Sequence, residues 1–105
     1  LKRGLSDICY GFFSTLANPT RLAILEKLRA NPMNVTDLAA TLGQEQSMIS
    51  HNLSTLEKCN FIKSDRRGKE KVYSINKETV EGLFKVVENH AENHCPFHGD
   101  CPRSR

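Results

Sequence analysis

Three histidines and two cysteines fall within the last sixteen positions of a 105-residue chain, in the stretch HAENHCPFHGDCPRSR. His90 and His94 are four apart, so a helix running through them stacks both imidazoles on one face, where they could share an ion. Cys95, His98 and Cys101 follow at short intervals on either side of Pro96 and Phe97. Five such donors exceed the four that a tetrahedral ion takes, and a mixture of thiolate and imidazole suits zinc first, then cobalt or cadmium. Copper(I) would accept the thiolates, whereas magnesium would find no oxygen cage. The same residues are open to other chemistry: a purely structural zinc, a disulfide switch between Cys95 and Cys101, or an inert tail.

What must position these donors is a single small core. At 105 residues the chain has the size of one domain and can bury enough apolar surface without disulfides. Hydrophobic residues make up 38% and there is no tryptophan, which describes a lean, mainly helical globule and disfavours a large aromatic cleft. No apolar run approaches the roughly 20 residues that cross a bilayer, and no signal-peptide core opens the chain, so a cytoplasmic protein with no membrane partner is expected. In that compartment the four cysteines stay reduced. No glycine-rich phosphate loop, nucleophile elbow or carboxylate pair stands out, so the chain does not read as an enzyme. The net charge is +3, and KSDRRGKEK alone, with five positive and two negative side chains, accounts for all of it. A local basic run of this kind meets phosphate or is simply solvated.

Along the chain, Leu5, Ile8, Cys9, Phe12, Phe13 and Leu16 recur at three and four, predicting a first helix that ends near Asn18-Pro19. A second helix opens at Pro19 or Thr20 and carries Leu22, Leu25 and Leu28 as a core stripe up to Asn31-Pro32. A short third helix shows Val35, Leu38, Ala39 and Leu42, with Asn34 or Thr36 as cap and Gly43 as its left-handed stop. The last helix uses Val80, Leu83, Phe84, Val87 and Ala91 before Pro96 forbids its continuation.

The fourth helix, about residues 46 to 59, has two faces. Ile49, Leu53 and Leu56 form an apolar seam, while Ser47, Ser50, His51, Ser54 and Lys58 line a polar side. Serine and asparagine lower helix stability, so their density at Ser47, Ser50, Asn52 and Ser54 points to groove reading more than to a merely solvated surface. His51 has no partner at metal spacing and belongs with that face; Cys59 belongs with the packing. Asn60 can take the left-handed conformation that stops the helix. The period then becomes strand-like: FIKSD and KVYSI flank Arg67-Gly68-Lys69, a hairpin with a basic tip. Two helices, a glycine turn and a hairpin are the order of a winged helix-turn-helix, whose recognition helix enters a major groove about 12 Å wide. The fold expected is therefore mainly α, with five helices and a two-stranded wing. Gln46, Ser47, Met48, Ser50, His51, Asn52 and Ser54 would face double-stranded DNA, and Arg66, Arg67, Lys69 and Lys71 would hold phosphates or a minor groove. The domain runs over 1–94, with a Cys/His-rich tail over 95–105.

LANPTRLAILEKL, VTDLAATLG, QSMISHNLSTLEKCNFI and RRGKEKVYSI together resemble the ArsR/SmtB family of metal-responsive transcriptional repressors, over about residues 5 to 94. The resemblance implies a homodimer through the first and last helices, whose metal-free form holds a near-palindromic operator until an inducer releases it. It also implies sensing sites that this sequence lacks. The thiolate motif at the start of the third helix would fall on Asn34, Val35 and Thr36, and no thiol stands there. Of the last-helix zinc site, Lys77 and Thr79 occupy the early positions and only His90 matches. Glu45 stands where the family places a serine cap. The terminal cluster of His90, His94, Cys95, His98 and Cys101 thus becomes the expected inducer site, with Cys9 as a third sulfur if the ion is arsenite. The alternative function is a redox-responsive repressor that uses Cys95 and Cys101 as its thiol switch.

Overall fold

The structure, a computed structural model, describes residues 4–102, so the tail expected over 95–105 is seen up to Pro102 and residues 103–105 lie outside. Five helices and one hairpin appear in the expected order: α1 Leu5–Leu16, α2 Pro19–Ala30, α3 Val35–Leu42, α4 Gln46–Lys58, β1 Ile62–Arg67, β2 Glu70–Ile75 and α5 Lys77–Asn93. The chain forms two compact units that divide between Ile75 and Asn76. The segment after residue 94 belongs with α5, and the helix-turn-helix and wing form the first unit.

Local chemistry sets most boundaries. Asn18 caps α2 by accepting from the Arg21 amide at 3.0 Å, with Pro19 in the first turn, where its missing N–H costs nothing. Asn34, not Thr36, caps α3 by accepting from the Asp37 amide at 2.7 Å. Gly43 ends α3 at φ 64, and Asn60 follows α4 at φ 60, both in the left-handed region. In the hairpin, Ile62 pairs with Ile75 and Arg67 with Glu70, leaving Gly68-Lys69 as a two-residue turn. Gly68 has φ 64 at its first position, as a primed hairpin turn requires. An isolated antiparallel bridge joins Met33 to Tyr73 and ties the loop before α3 to the wing.

The core of the first unit is made by Ile24, Leu25, Leu38, Ile49, Leu53 and Leu56, all fully buried, where α2, α3 and α4 pack on one another and on the hairpin. Two sequence expectations change, and the surface of α1 is a further finding. Leu22 is 38% exposed and Ile24 takes its place inside, because the buried stripe of α2 is turned one step from the leucine spacing. Cys59 is exposed, since it lies past the last apolar turn of α4. The α1 stripe is mostly on the surface: Leu5, Ile8 and Phe13 are exposed, Cys9 and Phe12 are half-buried, and only Leu16 is buried. Phe12 does reach inward, its ring edge-on to Phe61 at 5.1 Å. In the second unit Val80 is fully buried, whereas Val86 and Val87 are exposed. Among the described residues no helix is long and apolar enough to cross a membrane.

Candidate functional site

The helix-turn-helix is α3, the Gly43–Glu45 turn and α4. With Ile49, Leu53 and Leu56 buried, α4 is fixed along one side, and Gln46, Ser47, Met48, Ser50, His51 and Ser54 are all exposed on the other. Short hydroxyls on a fixed helix offer donors and acceptors without the entropy loss that long side chains incur on ordering. The open N-terminal end of α4 has Glu45 at its cap position but no side-chain cap, so the first amides and the positive end of the helix remain available to a phosphate.

Asn52 is the exception and corrects the expectation that it reads DNA. It is 7% exposed and is the one buried polar side chain among the described residues. Its carboxamide oxygen accepts from Arg21 Nε at 3.0 Å, while its nitrogen donates to the Met48 carbonyl at 3.0 Å. The reason is the helical wheel: Asn52 sits three after Ile49 and four before Leu56, on the inner edge of the helix. Arg21 in turn donates through Nη1 to the Thr15 carbonyl at 3.0 Å. One guanidinium thus ties the end of α1 to the recognition helix. The sequence reading missed Arg21; its signal, a charged residue one turn into a core helix directly after its cap, was visible.

The wing exposes Arg66, Arg67 and Lys69. Arg66 stands directly opposite Lys71 in the hairpin register, and such like-charge pairs repel unless a counter-charge intervenes. Lys71 has one: its ammonium lies 3.8 Å from Glu57 Oε1 and 5.4 Å from the centroid of the Tyr73 ring. Glu57 also accepts from Ser64 Oγ at 2.6 Å. Lys71, half exposed, is therefore shared between the protein and any phosphate, whereas Arg66, Arg67 and Lys69 project as the wing's outer cations. Asn34 reaches Glu70 at 2.6 Å and braces the base of the tip against α3.

At the other end of the chain, α5 continues to Asn93 and stacks His90 and His94 with ring centroids 6.1 Å apart. The Cys95 amide closes on the His90 carbonyl at 2.7 Å, so the following segment starts directly on the helix end. It then turns back: His98 N donates to the Cys95 carbonyl at 3.0 Å and Asp100 N to that of Phe97 at 3.0 Å, with His98 and Gly99 at positive φ of 52 and 86. The Cys95 thiol is held below the ordinary cysteine value, chiefly by the backbone amide of Gly99 and then that of Phe97, while burial opposes them and the His98 amide adds least. Cys95 is half-buried; His90, His94, His98 and Cys101 are exposed. Among the described residues no three His, Cys, Asp or Glu side chains converge closely enough to hold a metal ion. The structure thus gathers the expected donors onto one helix end and its return turn without closing them into a shell. Cys9 lies in the other compact unit.

The sequence matches the family model for bacterial regulatory proteins of the arsR family over residues 18–64, from the α2 cap into β1. It is 42% identical over 74% of its length to the HTH-type transcriptional regulator NmtR of Mycobacterium tuberculosis, and 35% identical over 77% to a transcriptional repressor SmtB homolog of Synechocystis. It spans less than two thirds of the length of either, 65% and 61%. The fold matches the homodimeric winged helix-turn-helix DNA-binding domain, residues 1–100, of a possible ArsR-family transcriptional regulator from Mycobacterium bovis. There the TM-score is 0.74 at 28% identity, over 90% of this chain and 92% of the other. The chain belongs to the bacterial ArsR family of winged helix-turn-helix regulatory proteins.

Proposed function

We propose that this protein is a homodimeric, DNA-binding transcriptional repressor released from its operator by a thiophilic metal or metalloid held at the C-terminal end of α5, zinc being the ion its donors suit best. The observation that carries the DNA reading is the exposed Ser47, Ser50, His51 and Ser54 face on a helix whose opposite side is fully buried, in the same compact unit as the outer cations of the wing. The dimer reading draws on apolar surface that a single copy leaves to water: Leu5, Ile8 and Phe13 on α1, Val86 and Val87 on α5. Two recognition helices must span half-sites about 34 Å apart, so a small change in how the copies are held is enough to spoil simultaneous contact. A coupling of about 1–3 kcal/mol lowers operator affinity roughly five- to 150-fold.

The donor types fit a soft or borderline ion: the Cys95 thiolate is already stabilised, and imidazoles stand on the adjoining helix end. Arsenite would need a third sulfur, which the terminal segment does not contain; cadmium and copper(I) would accept its two thiolates. The test is fluorescence anisotropy of a duplex recovered by selection from a random pool, with and without zinc, cadmium, copper(I) and arsenite. Tight, salt-sensitive binding weakened by one of these ions is expected. Arg67→Ala should weaken binding to all duplexes alike and flatten the slope of log affinity against log salt by about one phosphate contact. Equal affinities with every ion would remove the sensor.

The amide-stabilised Cys95 also favours a second reading, a thiol switch. Peroxide would oxidise the Cys95 thiolate to a sulfenate, and condensation with the Cys101 thiol would release water and leave a disulfide. Thiol counting before and after peroxide, together with metal analysis of protein purified without chelator, separates the two.

A further inference from the structure

The basic wing and the recognition helix meet at one carboxylate. Glu57, in the last turn of α4, uses both of its oxygens on the hairpin: Oε2 accepts from Ser64 Oγ at 2.6 Å, and Oε1 lies 3.8 Å from Lys71 Nζ. The hairpin register explains why these groups coincide. Successive strand residues point to opposite faces, so Ser64, Arg66, Lys71 and Tyr73 share one face, with Ser64 opposite Tyr73 and Arg66 opposite Lys71. The buried Tyr73 ring lies 5.4 Å from the Lys71 ammonium and gives it a second attraction. Of Arg66, Arg67, Lys69 and Lys71, only Lys71 has a carboxylate at ion-pair distance among the described residues. An exposed ion pair is weak, because ordering two long side chains offsets most of the attraction. Here Ser64 already holds the carboxylate and Tyr73 the ammonium, so less is lost.

We propose that Glu57 is a positioning residue for DNA binding that holds Lys71 back from phosphate, a rival of the nucleic-acid backbone built into the recognition helix itself. Sequence-independent affinity for DNA comes from phosphates neutralised by side chains. A lysine that must first leave a carboxylate therefore contributes only part of one contact, and Arg66, Arg67 and Lys69 are the wing cations that meet phosphate in full. The inference rests on the DNA-binding reading above and is independent of any inducer. Its effect is a few-fold in affinity, because both partners are partly exposed and screened by salt. The sign separates it from a merely structural role. A carboxylate that only braced the wing against α4 would, on losing its charge, loosen the wing and weaken DNA binding, whereas a rival that loses its charge tightens it.

The test is fluorescence anisotropy of the full chain on the selected duplex and on a scrambled one, each over a series of salt concentrations. Glu57→Gln keeps the size of the side chain and an oxygen for Ser64 but removes the charge. It should tighten binding to both duplexes alike, about two- to tenfold, and steepen the slope of log affinity against log salt by up to about 0.9, the increment for one phosphate. Lys71→Met keeps an apolar stem over Tyr73. Alone it should change affinity by about twofold or less, yet in the Glu57→Gln background it should abolish the whole gain, so the two substitutions are non-additive. Thermal melts confirm that each variant is folded. Unchanged or weaker binding by Glu57→Gln overturns the proposal. So does a gain that survives in the double variant, since the carboxylate would then repel phosphate by itself. Lys71→Met as damaging as Arg67→Ala overturns it too, because Lys71 would already sit on phosphate. A slope that flattens in Arg67→Ala while Glu57→Gln moves nothing overturns this inference alone; no salt-dependent binding to any duplex overturns the DNA reading and this inference with it.

Discussion

The recognition helix and the Cys95–Gly99 turn present chemistry by opposite means. On α4 the side chains proposed to meet DNA are exposed and the positions between them are locked by Ile49, Leu53 and Leu56, so placement comes from a side-chain core. After α5 the placement comes from the backbone: two left-handed residues in succession, and a glycine against Ala91. The first arrangement tolerates exchange of its surface residues, because nothing in the core depends on them. The second has almost no core to fall back on, and a single methyl group at residue 99 disturbs it. A frame of the first kind lets its surface change while the core holds; one of the second kind places its groups through the backbone alone.

The contrast can be broken at its strongest point first. Leu53→Ala removes a fully buried side chain from the seam of α4 and should destabilise the protein by about 3 kcal/mol, within the usual range of 2–5, as read from urea denaturation. A loss below 1 kcal/mol would mean that the recognition helix is not held by its seam. Arg21→Ala is the next largest. It leaves the Asn52 oxygen and the Thr15 carbonyl without their donor, at a cost of about 1–3 kcal/mol. Arg21→Lys should recover little of that, because an ammonium on a flexible stem cannot serve both acceptors in the fork geometry of a guanidinium. Full recovery by lysine would show that the tie between α1 and α4 is charge alone. Ser50→Ala sharpens the comparison from the other side: stability should stay within about 0.5 kcal/mol, while operator affinity falls by about 1 kcal/mol or more if Ser50 meets a base edge.

Much of the helix-turn-helix could be read from the sequence because its signals are local. The Gly43 and Asn60 stops, the Asn34 cap and the Ile49–Leu53–Leu56 seam each need only neighbours within a turn or two, and each is found in place. Asn52 departs from its expected place on the polar face for the opposite reason. Its partner Arg21 lies 31 positions away, and no periodicity in α4 announces that a side chain on the edge of the polar face is already engaged. The α1 stripe shows the same limit: three-four spacing tells which face is apolar, not whether the same copy covers it. At the terminus, donor types and spacing were plain, and Pro96 and Gly99 mark the ends of a turn. What stayed hidden is that His98 joins Gly99 in the left-handed region, a property of φ and ψ that residue types do not encode. The stacking of His90 and His94 followed from helical spacing; their failure to converge with Cys95 and Cys101 into a group of three did not.

The amide cradle carries the smallest expected effect, because Cys95 is only half-buried and water competes for its charge. Each N–H donated to sulfur favours the thiolate over the thiol, so the pH at which Cys95 becomes reactive should fall below that of a cysteine in an unstructured peptide. Iodoacetamide attacks only the thiolate. In reduced protein with chelator present, the rise of Cys95 alkylation with pH, followed by peptide mass analysis, should therefore come early relative to a model thiol. Gly99→Ala should move that rise to higher pH, since the amide of residue 99 is the foremost donor and the strained backbone would turn it away. The sign is what decides: a shift to lower pH in Gly99→Ala, or none, would mean that burial and not the amides governs the thiol, and the contrast between a backbone-built and a side-chain-built site would lose its basis at this end of the chain.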